Sequence, residues 1–394
     1  MNPAILVWAR ERIGFGIPDA AKGVTADPSK LLAWERGEEQ PSLAQARKLA
    51  EKYSQPLGVL FLSDPPEEDP LPADYRASGV PLPPEVVVEI RRVEALREAA
   101  IELAGLIDES FEPFPLRLDA RKVTPVKAAA ALREFLAVDL DEQHRWRDPE
   151  VAFRKWRTAI EARRVLVVVL GKPFTRVMVS PAILSGFAIA SQGIAPTIAV
   201  NGRDYTTRKI FTLLHELAHV AIGVSGISDL RYDLDTKPRA NAESYCNAVA
   251  AEILVPADEL TRRLEGKRRR AWPDAIVREL SRDFCVSREV IVRRLVDIGA
   301  APSAFYERWR AEHPYQPPRP DVGDEGAGEK EGGPSYYTMA LQRYGTPYLK
   351  LVYEALDNEL ITLSDVRGYV GGQAKSAKGL RERLYQQMAR GSAG

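Results

Sequence analysis

The feature that most constrains this chain is a short run at positions 215–219, with the sequence His215-Glu216-Leu217-Ala218-His219. It lies inside an apolar segment whose pattern predicts a helix. Because residues four apart share one face of a helix, His215 and His219 can both direct a ring nitrogen at one metal ion. The carboxylate of Glu216 lies next to that face, where it can take a proton from a metal-bound water.

The local sequence also indicates where this helix begins and ends. Thr206 or Thr207 can cap its start, and Gly223 can end it. The chain has only four histidines, and two of them fall at this spacing with a glutamate between them. Such a match arises by chance in about one chain in a hundred of this composition. The alternative is a helix whose histidines are only packed or solvated.

Two histidines do not complete a catalytic zinc site, which needs three protein ligands and one open position for water. No third histidine follows closely, so we expect a carboxylate further along the chain. Glu243 opens a helical pattern over 242–256, whose small residues would let a second helix lie close to the first. Spacing alone leaves seven candidates open: Asp229, Asp233, Asp235, Glu243, Glu252, Asp258 and Glu259.

Two segments carry a resemblance to a known family. They are residues 211–219 and the pattern Glu243-x-x-Cys246-Asn247-x-Val249-Ala250-Ala251-Glu252-x-Leu254-Val255-Pro256. Both resemble the ImmA/IrrE-type metallopeptidases, also called the domain of unknown function 955. Residues 185–189 and 198–202 resemble the strands that precede the active helix in that family, and the resemblance spans residues 150–300.

The resemblance implies a zincin-like domain with a small antiparallel sheet. It also implies His215, His219 and Glu243 as ligands of Zn²⁺ and Glu216 as the general base. A donor for the oxyanion of the tetrahedral intermediate is needed as well. The sequence leaves four candidates open: Tyr205, Tyr245, Arg208 and Arg239.

Composition predicts a cytoplasmic protein. The charges balance, with 55 basic and 55 acidic residues, so any charge-driven partner must be met by a local patch. The chain has two cysteines, Cys246 and Cys285, which is no disulfide framework and fits a reducing compartment. We expect no signal peptide and no membrane partner, and the apolar run 165–170 predicts a buried strand.

Proline-rich and acidic stretches divide the chain, and the predicted fold class is α+β and mostly helical. The predicted segments are a helix-turn-helix bundle (1–62), a linker (63–79), a peptidase domain with helical flanks (80–314), a flexible linker (315–334) and a helical C-terminal tail (335–394). The sequence does not indicate a role for this tail or an oligomeric state.

The first 62 residues resemble the Cro/phage-repressor helix-turn-helix fold. Helices are predicted at 4–12, 18–22 and 28–36, with a fourth starting at Pro41-Ser42. In that family the third helix enters the major groove of DNA. Residues 1–60 hold eight basic and seven acidic residues, so the phosphate attraction is weak. DNA binding and a helical docking role both stay open.

A denser basic patch lies at 262–270 and is followed by Trp272, a candidate platform for stacking bases. Residues 284–295 also have a helix-turn-helix pattern. A solvated basic face is the favoured interpretation, since charge runs usually have that role. Duplex or single-stranded DNA is therefore a candidate partner at either surface, with single-strand binding expected at 262–270.

These observations predict a cytosolic zinc metalloendopeptidase. The family resemblance implies a regulatory enzyme that cleaves a repressor-like protein in a mobile-element or DNA-damage circuit. The alternative is a DNA-binding transcriptional regulator or toxin–antitoxin component that uses the peptidase fold for sensing or docking. The intact Glu216 favours the enzyme.

Overall fold

The computed structural model describes residues 1–53, 55, 57–66, 82–171, 179–190, 193–224, 226–228, 238–318, 336–370 and 374–391. The chain divides into two compact units, Met1–Leu96 with Val177–Val179, and Arg97–Arg176 with Ser180–Gly394. The predicted linkers at 63–79 and 315–334 fall largely on 67–81 and 319–335, outside the described residues. The predicted domain boundaries stay predictions.

The first unit contains four short helices, α1 (Pro3–Ile13), α2 (Ile17–Ala21), α3 (Pro28–Arg36) and α4 (Leu43–Lys52), then a 3₁₀ turn, Leu57–Phe61. Side chains cap the starts of α3 and α4. The Asp27 carboxylate accepts the Ser29 N–H at 2.9 Å, and Ser42 forms a capping box with Gln45. The unit has its own apolar core, which includes Ile5, Leu6, Leu31, Trp34, Leu49 and Tyr53.

Helix α5 (Pro84–Leu106) contributes residues to both units, and the second unit holds the other helices and the sheet. These elements are α6 (Pro125–Leu136), α7 (Leu140–Trp146), α8 (Pro149–Glu161), β1 (Leu166–Leu170), β2 (Gly186–Ile189), β3 (Thr197–Asn201), α9 (Thr206–Ile222), β4 (Gly226–Ser228), α10 (Pro238–Leu254), α11 (Ala257–Arg263), α12 (Asp274–Asp283), α13 (Arg288–Asp297), α14 (Ser303–Glu312), α15 (Tyr336–Asp357), α16 (Leu363–Val370) and α17 (Ala374–Gly391). The described chain is thus mostly helical with one small sheet, as predicted. None of its helices combines the length and apolar character needed to cross a lipid bilayer.

The four strands lie in the order β1-β3-β2-β4. Strand β2 pairs antiparallel with β3 and β4, whereas β1 pairs parallel with β3. The prediction of an antiparallel sheet is therefore wrong at β1, and the sheet is mixed. The reason is the strand order: β3 lies between β1 and β2, which point in opposite directions, so it must be parallel to one of them.

Strand β2 passes very close to helix α9, and Gly186 makes this approach feasible. A Cβ atom at Gly186 would lie 2.5 Å from Thr212 Cγ2, 2.6 Å from the Ala199 carbonyl oxygen and 3.6 Å from Glu216 Oε1. Any larger residue would push the strand away from the helix. Because glycine has no side chain, β2 can lie this close to Glu216.

Two arginines of the basic patch at 262–270 form ion pairs with nearby carboxylates, which the sequence did not indicate. Arg262 and Arg263 pair with Glu259, and Arg263 also pairs with Asp283 at 2.7 Å. The prediction that Trp272 offers its ring for stacking is wrong, because the side chain is buried. Its indole N–H donates to the Ala300 carbonyl at 3.1 Å.

The close approach at Gly186 leads to a stability prediction. We expect Gly186→Ala to lower the free energy of unfolding by about 1–3 kcal/mol, because the new methyl group overpacks the contact between β2 and α9. Urea unfolding followed by circular dichroism measures the change. Gly105→Ala is the matched control, since no heavy atom lies within 4 Å of its Cβ position. Equal unfolding midpoints for the two variants would show that the contact tolerates a side chain.

Candidate metal centre

Helix α9 buries the three polar residues of the 215–219 run almost completely, with exposures of 0% for His215, 0% for Glu216 and 1% for His219. Gly223 ends the helix as predicted, in the left-handed conformation with φ 72°. The predicted threonine cap is wrong. Tyr205 occupies the N-cap position, and the Thr206 hydroxyl donates instead to the Glu150 carboxylate.

Helix α10 packs against α9 and brings Glu243 to the two histidines. His215 Nε2 lies 3.2 Å from Glu243 Oε2, and His219 Nε2 lies 3.2 Å from Glu243 Oε1. The two Nε2 atoms are 3.0 Å apart. Within the described part of the chain, this is the group of His, Cys, Asp and Glu side chains that could hold a metal ion.

The three side chains lie close enough together to hold one metal ion. The two ring nitrogens are 3.0 Å apart, and each lies 3.2 Å from a different carboxylate oxygen of Glu243. One donor atom from each residue lies within 4.8 Å of the other two, and ligand atoms around a tetrahedral zinc ion lie about 3.3 Å from one another, so small side-chain rotations would complete the set. Two imidazole nitrogens and one carboxylate oxygen are also a donor set that catalytic zinc accepts.

The electrostatics of the site favour positive charge at the point where the three side chains meet. Burial lowers the pKa of His215. The pKa of His219 is raised well above its usual value, because its interactions with Cys246 and Glu243, which stabilise the protonated ring, outweigh its burial. Burial raises the pKa of Glu243, but hydrogen bonds to both histidines lower it by more. The carboxylate therefore stays ionised, and a cation is its natural counterpart.

The other described candidates for the third ligand have different roles. Glu252 forms a buried ion pair with Arg294 and accepts the Ala257 N–H at 3.0 Å. Glu259 is bound by Arg262 and Arg263, and Asp258 is exposed. The remaining candidates, Asp229, Asp233 and Asp235, lie outside the described residues.

Two further residues of α10 influence the histidines, and sequence reasoning gave them no role. The side chain of Asn247 raises the pKa of His215 against the effect of burial, and Cys246 acts in the same way on His219. Both residues are buried. They lie three and four positions after Glu243, so they share its helix face. This helical spacing from Glu243 is the sequence signal that could have identified them.

The structure does not choose among the candidate oxyanion donors, but it weighs against several. Arg208 is paired with Asp204 at 3.1 Å, and its guanidinium lies 4.0 Å from the ring centre of Tyr315. It precedes His215 by seven residues, about 10 Å along the helix axis. Tyr205 is further away still. Tyr245 is two positions after Glu243 and so points to a different side of α10. The side chain of Arg239 lies outside the described residues.

This geometry predicts metal binding that depends on the histidines. We expect the purified protein to bind about one zinc ion per chain and His219→Ala to lose it, because two remaining ligands bind weakly. Elemental analysis after dialysis measures the stoichiometry. His313→Ala is the control, since His313 is exposed and outside the site. Full zinc occupancy in both His215→Ala and His219→Ala would overturn the assignment.

The comparison with known proteins agrees with the chemistry of the site. Residues 175–296 match the model of the Peptidase_M78 family, described as the IrrE N-terminal-like domain. The matched segment contains His215, Glu216, His219 and Glu243, and it covers less than half of the 394 residues. No curated protein matches the chain. The family match supports a peptidase of the ImmA/IrrE kind for this segment.

Proposed function

We propose that this protein is a zinc-dependent endopeptidase, with His215, His219 and Glu243 as metal ligands and Glu216 as the general base. One observation carries the proposal. The donor atoms of the three side chains lie within 4.8 Å of one another beside a buried glutamate, within the segment that matches Peptidase_M78.

The chemistry divides between the ion and the protein. Bound zinc would supply a Lewis acid that polarises the scissile carbonyl and acidifies the attacking water. Glu216 takes the proton of that water and passes it to the leaving amine, which requires a carboxylate held close to the ligands. The chain holds it there by burying Glu216 on α9 and by placing Gly186 of β2 against it.

The sheet offers a place for the substrate backbone. Strand β4 is at the edge of the sheet formed by the described residues, and Ser228 on it pairs with Gly186. An extended peptide can add to an exposed strand edge through main-chain hydrogen bonds. A peptide added beside β4 would therefore run past the part of the sheet that contacts Glu216. This arrangement suits cleavage within a chain.

We further propose a regulatory substrate, a repressor-like protein of a mobile-element or stress circuit. This part of the proposal rests on the resemblance to the ImmA/IrrE-type enzymes, which the match at residues 175–296 supports. An exposed segment between two folded domains is accessible to a protease, and it can adopt the extended conformation that β4 would pair with.

The role of Glu216 gives the test of catalysis. We expect Glu216→Gln to bind zinc like the wild type and to cut at least about 100-fold more slowly, because a general base contributes about 10²–10⁴ to the rate. The probe is a proteome-derived peptide library, and mass spectrometry detects new termini. Glu279→Gln, an exposed change on α12, is the control. Equal cleavage by Glu216→Gln and wild type would sink the mechanism, and loss of zinc would make Glu216 a ligand.

A second candidate function is DNA binding by the first unit. Leu31 and Trp34 anchor α3 in the core, whereas the first turn of α3, residues 28–30, is exposed. A recognition helix needs such an exposed first turn to contact the edges of the bases. The charge available is small. Arg10 pairs with Glu35 at 2.7 Å, and Lys52 donates to the backbone carbonyl of Lys22 at 2.6 Å.

The first unit can be tested by charge reversal. If α3 reads DNA, Lys30→Glu should weaken binding to a duplex from upstream of the gene by about tenfold, because it replaces a phosphate or base contact with repulsion. Lys48→Glu, an exposed change on α4, is the matched control. Band-shift titration at fixed salt gives the affinities. Equal affinities for the two variants would show that α3 does not contact DNA, and a docking role for the first unit would then be favoured.

A further inference from the structure

A cavity of about 560 Å³ lies within the second unit, between α8 and the C-terminal helices α15 and α17. None of its lining residues belongs to the metal centre. We call it the C-terminal groove, and it is lined mainly by Arg154, Arg157 and Glu161 of α8, Gln342 of α15, and Arg383 and Gln387 of α17. Its volume is within the range of about 300–1,000 Å³ that small-molecule sites occupy.

The floor of the C-terminal groove is a buried, internally balanced ion pair. Arg157 Nε donates to Glu161 Oε1 at 2.7 Å, and the two Nη atoms donate to the carbonyls of Gln342 and Val167 at 2.5 and 2.6 Å. A hydrogen bond from the Thr346 backbone also reaches Glu161. Each charge on the floor is therefore satisfied by the protein, and the floor adds no net charge to the groove.

A break in α15 allows the helix to lie on this floor. Gly345 has φ 76° and ψ 161°, a backbone conformation that is essentially restricted to glycine. A Cβ atom there would collide with the Glu161 carboxylate and would lie 2.7 Å from Arg157 Nη2. The groove is thus a built feature, because its shape depends on one residue that no other amino acid can replace without strain.

The rim of the C-terminal groove is positively charged. Arg154 and Arg383 are exposed, and neither forms an ion pair with a described carboxylate. Because Arg157 balances Glu161, the lining has an excess of two positive charges in a chain whose formal net charge is zero. Arginine binds phosphate oxygens through two parallel hydrogen bonds, so paired arginines on a rim favour a phosphorylated ligand.

The rest of the lining supplies neutral hydrogen-bonding groups. It includes the side-chain amides of Gln342, Gln386 and Gln387 and the hydroxyl of Thr338, with Leu341 as an apolar contact. An amide both donates and accepts hydrogen bonds, so it can pair with the edge of a base or with sugar hydroxyls. An inorganic anion such as phosphate would contact few of these groups and would fill only a small part of the cavity.

We propose that the C-terminal groove binds a phosphorylated small molecule of nucleotide size. Its phosphate lies between Arg154 and Arg383, and its polar body lies against the glutamine amides of α15 and α17. The lining residues are distinct from those of the metal centre, so this binding is additional to the proposed peptide hydrolysis.

Isothermal titration of the full chain tests the proposal. The probes are AMP, glucose 6-phosphate, inorganic phosphate and adenosine. We expect AMP or glucose 6-phosphate to bind more tightly than inorganic phosphate, and adenosine not to bind. Arg383→Glu and Arg154→Glu should each weaken binding by about tenfold or more, because each loses a charge-assisted contact. Lys378→Glu is the matched control, since it is exposed on α17 and outside the groove.

Three outcomes would overturn the proposal. The first is no binding of any phosphorylated probe at millimolar concentration. The second is equal affinity of Arg383→Glu and Lys378→Glu for the probe that binds best, with both variants folded by circular dichroism. The third is a ten-nucleotide single strand that binds in an Arg383-dependent way when the small probes do not, which would make the groove a nucleic-acid surface. Use of AMP and glucose 6-phosphate separates a base from a sugar as the recognised body.

Discussion

The metal centre depends on the close packing of α10 against α9. Glu243 comes within 3.2 Å of both ring nitrogens, and both helices carry small buried side chains that permit a close approach. Those side chains include Ala218 and Ala221 on α9 and Cys246 and Ala250 on α10, all in one core cluster. A helix pair with larger residues would hold its axes further apart, and the carboxylate would then lose contact with the histidines.

The far end of α10 is anchored by buried polar groups, and these fix the helix that presents Glu243. The last carbonyls of a helix have no partner within it. Here Arg133 donates to the Ile253 carbonyl at 2.6 Å, Gln143 to Leu254 at 2.9 Å and Arg294 to Val255 at 3.0 Å. Burial of Arg133 lowers its pKa to about 10, which shows the cost of placing this cation in the core.

Local features of the fold were predictable from the sequence, and long-range ones were not. Helix α9 and its end at Gly223 follow from an apolar pattern and one glycine, and β1 lies where the apolar run 165–170 predicts it. Strands β2 and β3 lie at the segments that the family resemblance indicated, residues 185–189 and 198–202. The Thr206 cap failed because its hydroxyl has a partner 56 residues away in sequence, Glu150. The parallel pairing of β1 is also invisible locally, since it depends on β3 entering the sheet between β1 and β2.

The same contrast holds for the site. The spacing of His215 and His219 on one helix gives the first two donors, because i and i+4 positions share a face. Glu243 is 24 positions beyond His219, and spacing left six other carboxylates as alternatives. Among the described ones, Glu252 and Glu259 are paired with arginines and Asp258 is exposed. Trp272 likewise looked like an accessible ring, but its indole N–H is committed to Ala300.

Helix α8 contacts both the C-terminal groove and the helix that carries the candidate metal ligands. One face of it lines the C-terminal groove through Arg154 and Arg157, and Arg157 is bonded to the Val167 carbonyl of β1. Glu150 at its first turn is bonded to Thr206 and lies 3.9 Å from Lys209 at the start of α9. Packed helices transmit displacement because their interiors have little free volume. A shift of α8 would therefore be felt both by the sheet and by the helix that carries His215, Glu216 and His219.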